Sequence, residues 1–172
     1  LKLLCGLVAP TSGAICFDEA DFSRAKPELR ARIGLLAPAD HLYENLTARE
    51  NLYFFAKLYG RETTPSTLDT VLDQVGLSSR GGDYVAALSS GMKCRLSIAK
   101  WSLLQPDLLL LDEPYGVLDG SGIDLLEAFL RQQSARGAIV LLASHHVSRA
   151  LDLCTRALVL SHGRLIFDET KR

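Results

Sequence analysis

Residues 108–114 read LLLLDEP, an unbroken apolar run that ends in two acids and a proline. In an open sheet covered by helices, ligands bind beyond the carboxyl ends of the strands, which would put Asp112 and Glu113 on the ligand edge. An Asp there can hold a magnesium ion through water, and an adjacent Glu can polarise an attacking water. Taken alone, an Asp-Glu pair at a strand end is often only a solvated turn. Two neighbouring signals change that weighting. In LSSGMKCRLSIAKWSLLQP, Ser89, Ser90 and Gly91 open a helix that leads into the acidic strand. Free N–H groups and the helix dipole favour an anion there, and glycine lets a phosphate approach closely; an isolated Ser-Ser-Gly would be an ordinary N-cap. In LLASHHVSRA, Ser144 and His145 follow a second apolar run. A histidine there could bond a terminal phosphate or orient Glu113. His146 and His41 gain no role by this reasoning.

The elements that must position these groups follow from hydrophobic pattern. RIGLLA at 32–37, DLLLLDEP at 107–114, AIVLLAS at 138–144 and RALVLS at 156–161 are continuous apolar runs. Such runs suit strands buried on both faces of a parallel sheet, so the class is α/β. Between the first two runs the pattern turns helical. Thr47 and Glu50 form a capping box before an apolar stripe of Leu52, Phe55, Ala56 and Tyr59, with Gly60 as the stop. STLDTVLDQVGL, from Ser66 to Gly76, repeats that logic. At the start, Leu1, Leu4 and Val8 share a helical face, and Pro10 with Gly13 supplies an expected stop. At the end, RALVLSHGRLIFDE reads as two short strands around a His-Gly turn.

The composition is that of a globular chain: 172 residues, 48% hydrophobic, with 19 basic and 20 acidic residues and a net charge of −1. That balance gives no electrostatic argument for a nucleic-acid partner. Cys5, Cys16, Cys94 and Cys154 have neither disulfide nor zinc-site spacing, which suits free thiols in a reducing compartment. No apolar run approaches the roughly 20 residues that span a membrane.

In order and spacing, LSSGM, LLLLDEP, GVLD at 116–119 and ASHH resemble the signature motif, Walker B strand, D-loop and switch-histidine loop of ABC ATPases. These are the nucleotide-binding subunits of ATP-binding-cassette transporters. RIGLLAPADHLYENLTARENLYFFAKLYG and CTRALVLSHGRLIFDE are similar to export-type subunits, including the haem-exporter ATPase of cytochrome c maturation. The resemblance implies a P-loop NTPase (RecA-like) core with a mostly parallel sheet, over 1–39 and 97–172. Residues 40–96 would form an inserted helical subdomain carrying the signature motif.

It also implies roles, residue by residue. Asp112 would help hold Mg2+, Glu113 would activate the hydrolytic water, and His145, after Ser144, would contact the γ-phosphate of ATP. Ser89, Ser90 and Gly91 would bind ATP held by a second subunit, with Asp119 near the dimer seam. The family's phosphate-cradling G-x-x-x-x-G-K-[ST] loop and adenine-stacking aromatic are expected upstream of Leu1, since LKLLCGLVAPTSG matches the tail of the helix after that loop. With no Met at position 1, the sequence is expected to be truncated at its N-terminus and inactive alone. Pro38 stands where the family usually has a Gln that contacts magnesium and water. Asp40 or His41 could substitute for it.

The expected function is ATP binding and hydrolysis by a homodimer or heterodimer that powers export, peripheral on the cytoplasmic face of the membrane. Its partners would be transmembrane permease subunits docking near HLYENLT. Leu42, Leu46, Phe54 and Phe55 would either serve that docking or simply fill the subdomain core. The alternatives are a non-transport ABC protein acting on ribosomes or DNA, and a catalytically impaired regulatory module.

Overall fold

The computed structural model describes residues 1–17, 20–21, 27–37 and 41–171. Pro38 and Asp40 therefore lie outside the described residues. In chain order the elements are β1 (Cys16–Phe17), β2 (Ala20–Asp21), α1 (Pro27–Arg30), β3 (Ile33–Leu36), α2 (Ala48–Leu58), α3 (Pro65–Gln74), α4 (Ser90–Leu104) and β4 (Leu108–Asp112). They continue with α5 (Gly120–Ala135), β5 (Ile139–Ala143), α6 (Val147–Leu153), β6 (Arg156–Ser161) and β7 (Arg164–Thr170).

The centre is a parallel sheet in the order β3-β4-β5, with Leu35 opposite Leu110 and Leu110 opposite Leu141. Parallel neighbours need long crossovers. Here the helical block supplies the first and α5 the second. Successive side chains of β4 point to opposite faces. Leu109 and Leu111 join one apolar cluster with Leu52, Leu72, Ile98 and Leu126 from the helices, whereas Leu108 and Leu110 join a second with Ile33, Leu1 and Leu4. The unbroken leucine run thus serves a strand covered on both sides.

α2 starts at the expected capping box: the Thr47 hydroxyl accepts the Glu50 N–H, and the Glu50 carboxylate accepts the Thr47 N–H at 2.8 Å. α4 is N-capped by Ser89, whose hydroxyl accepts the Met92 N–H at 3.3 Å, and ends at Gln105 in a left-handed conformation before Pro106. Its six consecutive residues Leu96–Trp101 are all buried. A helix enclosed on every side sits at the centre of its neighbours, and α4 packs against α2, α3, α5 and β3. It also runs through residues 96 and 97, so the helical block and the sheet share one continuous element.

Three expectations need correction. The opening segment forms turns rather than a helix reaching Pro10. Gly6, at φ +72°, ends it with a Leu7 N–H to Lys2 carbonyl bond of 3.0 Å and a Gly6 N–H to Leu3 carbonyl bond of 3.1 Å. Those paired bonds around a left-handed glycine form a Schellman stop, which acts before the proline can. β5 is exposed to half-buried rather than enclosed, because among the described residues it pairs only with β4. β6 stands apart from the parallel sheet, paired antiparallel with β7 through a turn in which His162 and Gly163 both have positive φ. Leu160 and Ile166 of this hairpin are exposed.

Candidate functional site

The carboxyl ends of β4 and β5 bring four of the singled-out residues together. Asp112 closes β4 opposite Ala143, and the Glu113 N–H extends the ladder one step by donating to the Ala143 carbonyl at 2.9 Å. Glu113 then takes a φ of +49°. Non-glycine residues rarely adopt that conformation, and its strain recurs at functional positions. The Glu113 carboxylate accepts the His145 backbone N–H at 3.0 Å, stands 2.7 Å from His145 Nδ1, and receives the Ser144 hydroxyl at 3.4 Å. Ser144 Oγ in turn accepts the His146 N–H at 3.0 Å.

The Glu113 and His145 side chains are 39% and 72% exposed. A contact so open to water contributes little stability. What the contacts provide is orientation: one carboxylate is held by a backbone N–H and an imidazole, with part of its surface accessible to water. Such a group can accept a proton from a water molecule lying against it. The ring of His146 lies 4.3 Å from that of His145 and meets Tyr115 edge-on at 5.7 Å, which supports the loop from behind.

Beside this cluster, Asp112 lines a cleft of about 540 Å³ together with Lys2, Val8, Leu35, Ala37 and His41. Among the described residues no three acid, His or Cys side chains converge as a metal cage. Magnesium is usually held by one or two carboxylates plus phosphate oxygens and waters. A single Asp at the mouth of a roomy cleft fits that donor set.

A second cleft, about 300 Å³, is formed where the start of α4 meets the loop before α5. Ser89, Ser90, Gly91 and Arg95 face Val117, Leu118 and Asp119. A Cβ on Gly91 would lie 3.1 Å from the Val117 carbonyl, so glycine permits this close approach. Asp119 caps α5: its Oδ1 accepts the Gly122 N–H at 2.7 Å, the Ser121 hydroxyl at 3.0 Å and an Arg95 guanidinium N–H at 3.0 Å. The Gly122 N–H above all, then the Ser121 hydroxyl and Arg95, hold the Asp119 carboxyl below the usual carboxylate range. Arg95 was not singled out by motif. Its position four residues after Gly91, on the same helical face, is the signal that could have found it. The two clefts share no lining residue.

The helical block keeps an apolar surface after folding. Tyr43, Tyr53 and Phe54 remain exposed, and Tyr43 meets Phe54 edge-on at 4.7 Å. Phe55 belongs to the core, and Leu42 and Leu46 are half-buried. The fully buried Asn51 fixes the loop before α2: its Nδ2 donates to the carbonyls of Tyr43 and Thr47 at 2.9 and 3.0 Å, and its Oδ1 accepts the Tyr43 N–H at 2.9 Å.

The family model for the ABC transporter matches residues 1–116, more than half of the chain. The chain belongs to the ABC transporter family. Along its full length it is 36% identical to the bacitracin transport ATP-binding protein BcrA of Bacillus licheniformis. Over 96% of its length it is 34% identical to the Nod factor export ATP-binding protein I of Paraburkholderia xenovorans. The chain spans 58% and 55% of those two relatives. Among solved structures, an ATP-binding subunit of an ABC transporter superposes with a TM-score of 0.88 at 31% identity, covering 98% of this chain and 71% of that one. A dimeric ATP-binding cassette in a post-hydrolysis state with ADP and Pi, 20% identical, shares the fold at a TM-score of 0.85 over 99% of this chain and 78% of that one. The ABC family match ends at residue 116, so Glu113 and the Ser89–Gly91 segment fall inside it, and Asp119, Ser144 and His145 lie beyond.

Proposed function

We propose that the protein carrying this chain is the ATP-binding and ATP-hydrolysing subunit of an ABC exporter, acting as a head-to-tail dimer. The observation that carries the catalytic part is the Glu113 carboxylate held by His145 and Ser144 at the carboxyl end of β4. In this reading Glu113 accepts a proton from water as the water attacks the γ-phosphorus and the bond to the ADP oxygen breaks. His145 donates to the γ-phosphate and Ser144 steadies the loop. Asp112 holds Mg2+, which supplies charge neutralisation at the phosphates when bound. Ser89, Ser90 and Gly91 bind the γ-phosphate of ATP carried by the opposite subunit, and Asp119 lies at the seam, kept in place by Arg95.

Export, rather than another use of ATP hydrolysis, is supported by the relatives named for Nod factor export and bacitracin transport. It does not rest on likeness to haem exporters. No described helix is long and apolar enough to cross a membrane. By likeness to the transporter ATP-binding relatives, the membrane path is assigned to permease subunits, with this chain peripheral at the cytoplasmic face. The exposed pair Tyr43 and Phe54, whose rings meet, is where a short permease helix would dock, since contiguous exposed apolar area marks interaction sites. Residues 1–39 and 97–172 form the ATPase core in this reading, and 40–96 the signature-bearing subdomain. The 172-residue chain alone, whose sequence contains no G-x-x-x-x-G-K-[ST] loop, is proposed to be inactive.

The test is phosphate release from ATP by the full-length protein, with and without its membrane subunits. Turnover that depends on Glu113 and rises with the membrane subunits supports the reading. Binding of ATP without turnover would favour a regulatory module, the reading that Pro38 favours.

A further inference from the structure

Lys100 is a lysine in the wrong place for an ordinary surface cation. It sits on the enclosed half of α4 and is 2% exposed. Burying an ammonium costs several kcal/mol unless its surroundings compensate, and part of that compensation here is aromatic. Its Nζ lies 4.6 Å from the centroid of the Phe55 ring on α2 and 4.8 Å from the Trp101 ring beside it on α4. Ring faces attract a cation at such distances, more strongly when water is excluded.

Each ring leads somewhere different. Phe55 packs against Phe54 at 5.5 Å and Tyr43 at 5.8 Å, two of the exposed aromatics of the helical block. Trp101 donates its indole N–H to the Leu35 carbonyl of β3 at 3.1 Å. Leu35 and Ala37, at the carboxyl end of that strand, line the same cleft as Asp112. A continuous set of contacts therefore runs from the exposed patch through Phe55, Lys100 and Trp101 to the sheet end that carries Asp112.

We propose that Lys100 is a positioning residue whose cation, held by Phe55 and Trp101, makes the exposed aromatic patch and the carboxyl end of β3 shift together when a membrane subunit docks. This rests on the exporter reading above. A non-directional apolar contact would allow the two parts to slide. Lys100 and Trp101 are neighbours on α4, so the contact that can open is the one across to Phe55 on α2, and a charge over that ring face resists its separation.

The experiment uses the full-length protein, alone and reconstituted with its membrane subunit in proteoliposomes. Lys100→Met keeps the length and removes the charge; Lys100→Arg keeps the charge. Lys100→Met is expected to leave hydrolysis without the membrane subunit within about two-fold and to lower its stimulation by that subunit at least about five-fold, the scale of a typical coupling free energy. Lys100→Arg restores most of the stimulation. Full stimulation in Lys100→Met, or equal loss in Lys100→Arg, overturns the proposal.

A second measurement needs neither nucleotide nor membrane subunit. In denaturant unfolding, Lys100→Met, Phe55→Leu and the double variant form a cycle. The link predicts that the double variant loses little more than the worse single variant, and strictly additive losses overturn it. Should wild-type protein show no stimulated hydrolysis, the exporter reading falls, while this cycle still decides whether Lys100 and Phe55 are joined. Should Lys100→Met fail to fold, Phe55→Leu with Lys100 intact must itself lose stimulation, and retention overturns the proposal.

Discussion

Glu113 and His145 follow different strands and lie 32 positions apart, yet the carboxylate of the first accepts the backbone N–H of the second at 3.0 Å and stands 2.7 Å from its Nδ1. Two contacts from one residue fix the plane of the carboxylate as well as its place. The parallel pairing of β4 with β5 makes this possible, because Asp112 and Ala143 end their strands in register.

Glu113→Gln keeps the shape and the N–H contact but cannot take a proton. In the full-length protein, turnover is expected to fall by about 100-fold or more, the usual scale for loss of a general base. Nucleotide affinity should change only slightly. Phosphate release and equilibrium ATP binding, measured on the same preparation, check the two halves separately.

Gly91→Ala places a methyl 3.1 Å from the Val117 carbonyl, a backbone atom that cannot rotate aside. The α4 start and the 116–119 loop must separate. A stability loss of about 1–3 kcal/mol is expected, as for other overpacked sites. Hydrolysis by the full-length dimer should fall further than stability alone explains. Denaturation midpoints and phosphate release together test this.

Asp119 is more acidic when folded than when unfolded, chiefly because the Gly122 N–H binds its anion. Its contribution to stability is thus complete above the usual carboxylate range and lost as pH falls through and below it. Glu44, Glu50 and Asp168 are shifted in the same direction, by Lys93, Thr47 and Arg156 respectively. Asp119→Asn should therefore reduce, without abolishing, the acid-limb slope of stability against pH. Arg95→Met should reduce it less, since Arg95 is the lesser cause. Unfolding midpoints across the acid range give the comparison.

Leu110→Ala removes a fully buried side chain from the middle of β4, on the face shared with Ile33 and Leu108. A loss of about 2–5 kcal/mol is expected, which a marginally stable domain would barely survive. A small shift in the denaturation midpoint would show that this second cluster is loosely packed.

ATP titrated into the 172-residue chain is expected to give no sub-millimolar binding by calorimetry, because its sequence holds no G-x-x-x-x-G-K-[ST] loop to cradle phosphate. Tight binding would relocate the nucleotide site to the clefts described here.

Local chemistry was the most legible part of the sequence. The Thr47–Glu50 capping box, the Ser89 cap and the leucine run of β4 each carry their cause within a few residues. The helix stop was misplaced because proline is conspicuous, whereas Gly6 acts earlier through backbone bonds that no side-chain pattern reveals. Burial of β5 and β6 was over-read, since an apolar run cannot tell how many neighbours its strand will have. Arg95, Asn51 and Lys100 escape a sequence reading for a related reason: a polar residue within a helix looks solvent-facing until the elements that pack around that helix are in place. The contacts of Glu113 with His145 depend on strand register, which spacing along the chain does not specify.

β3 and β4 are neighbours in the sheet, but the whole helical block lies between them in the chain. Capped helices with local contacts can form quickly, whereas a parallel pairing must first close that long loop. The leucine run of β4 is then expected to be covered late. During refolding it stays available to other chains for as long as β3 and β5 are absent, so recovery should fall steeply with protein concentration. Slow, dilute refolding is expected to give the best recovery of the native sheet, and recovery independent of protein concentration would refute that order of events.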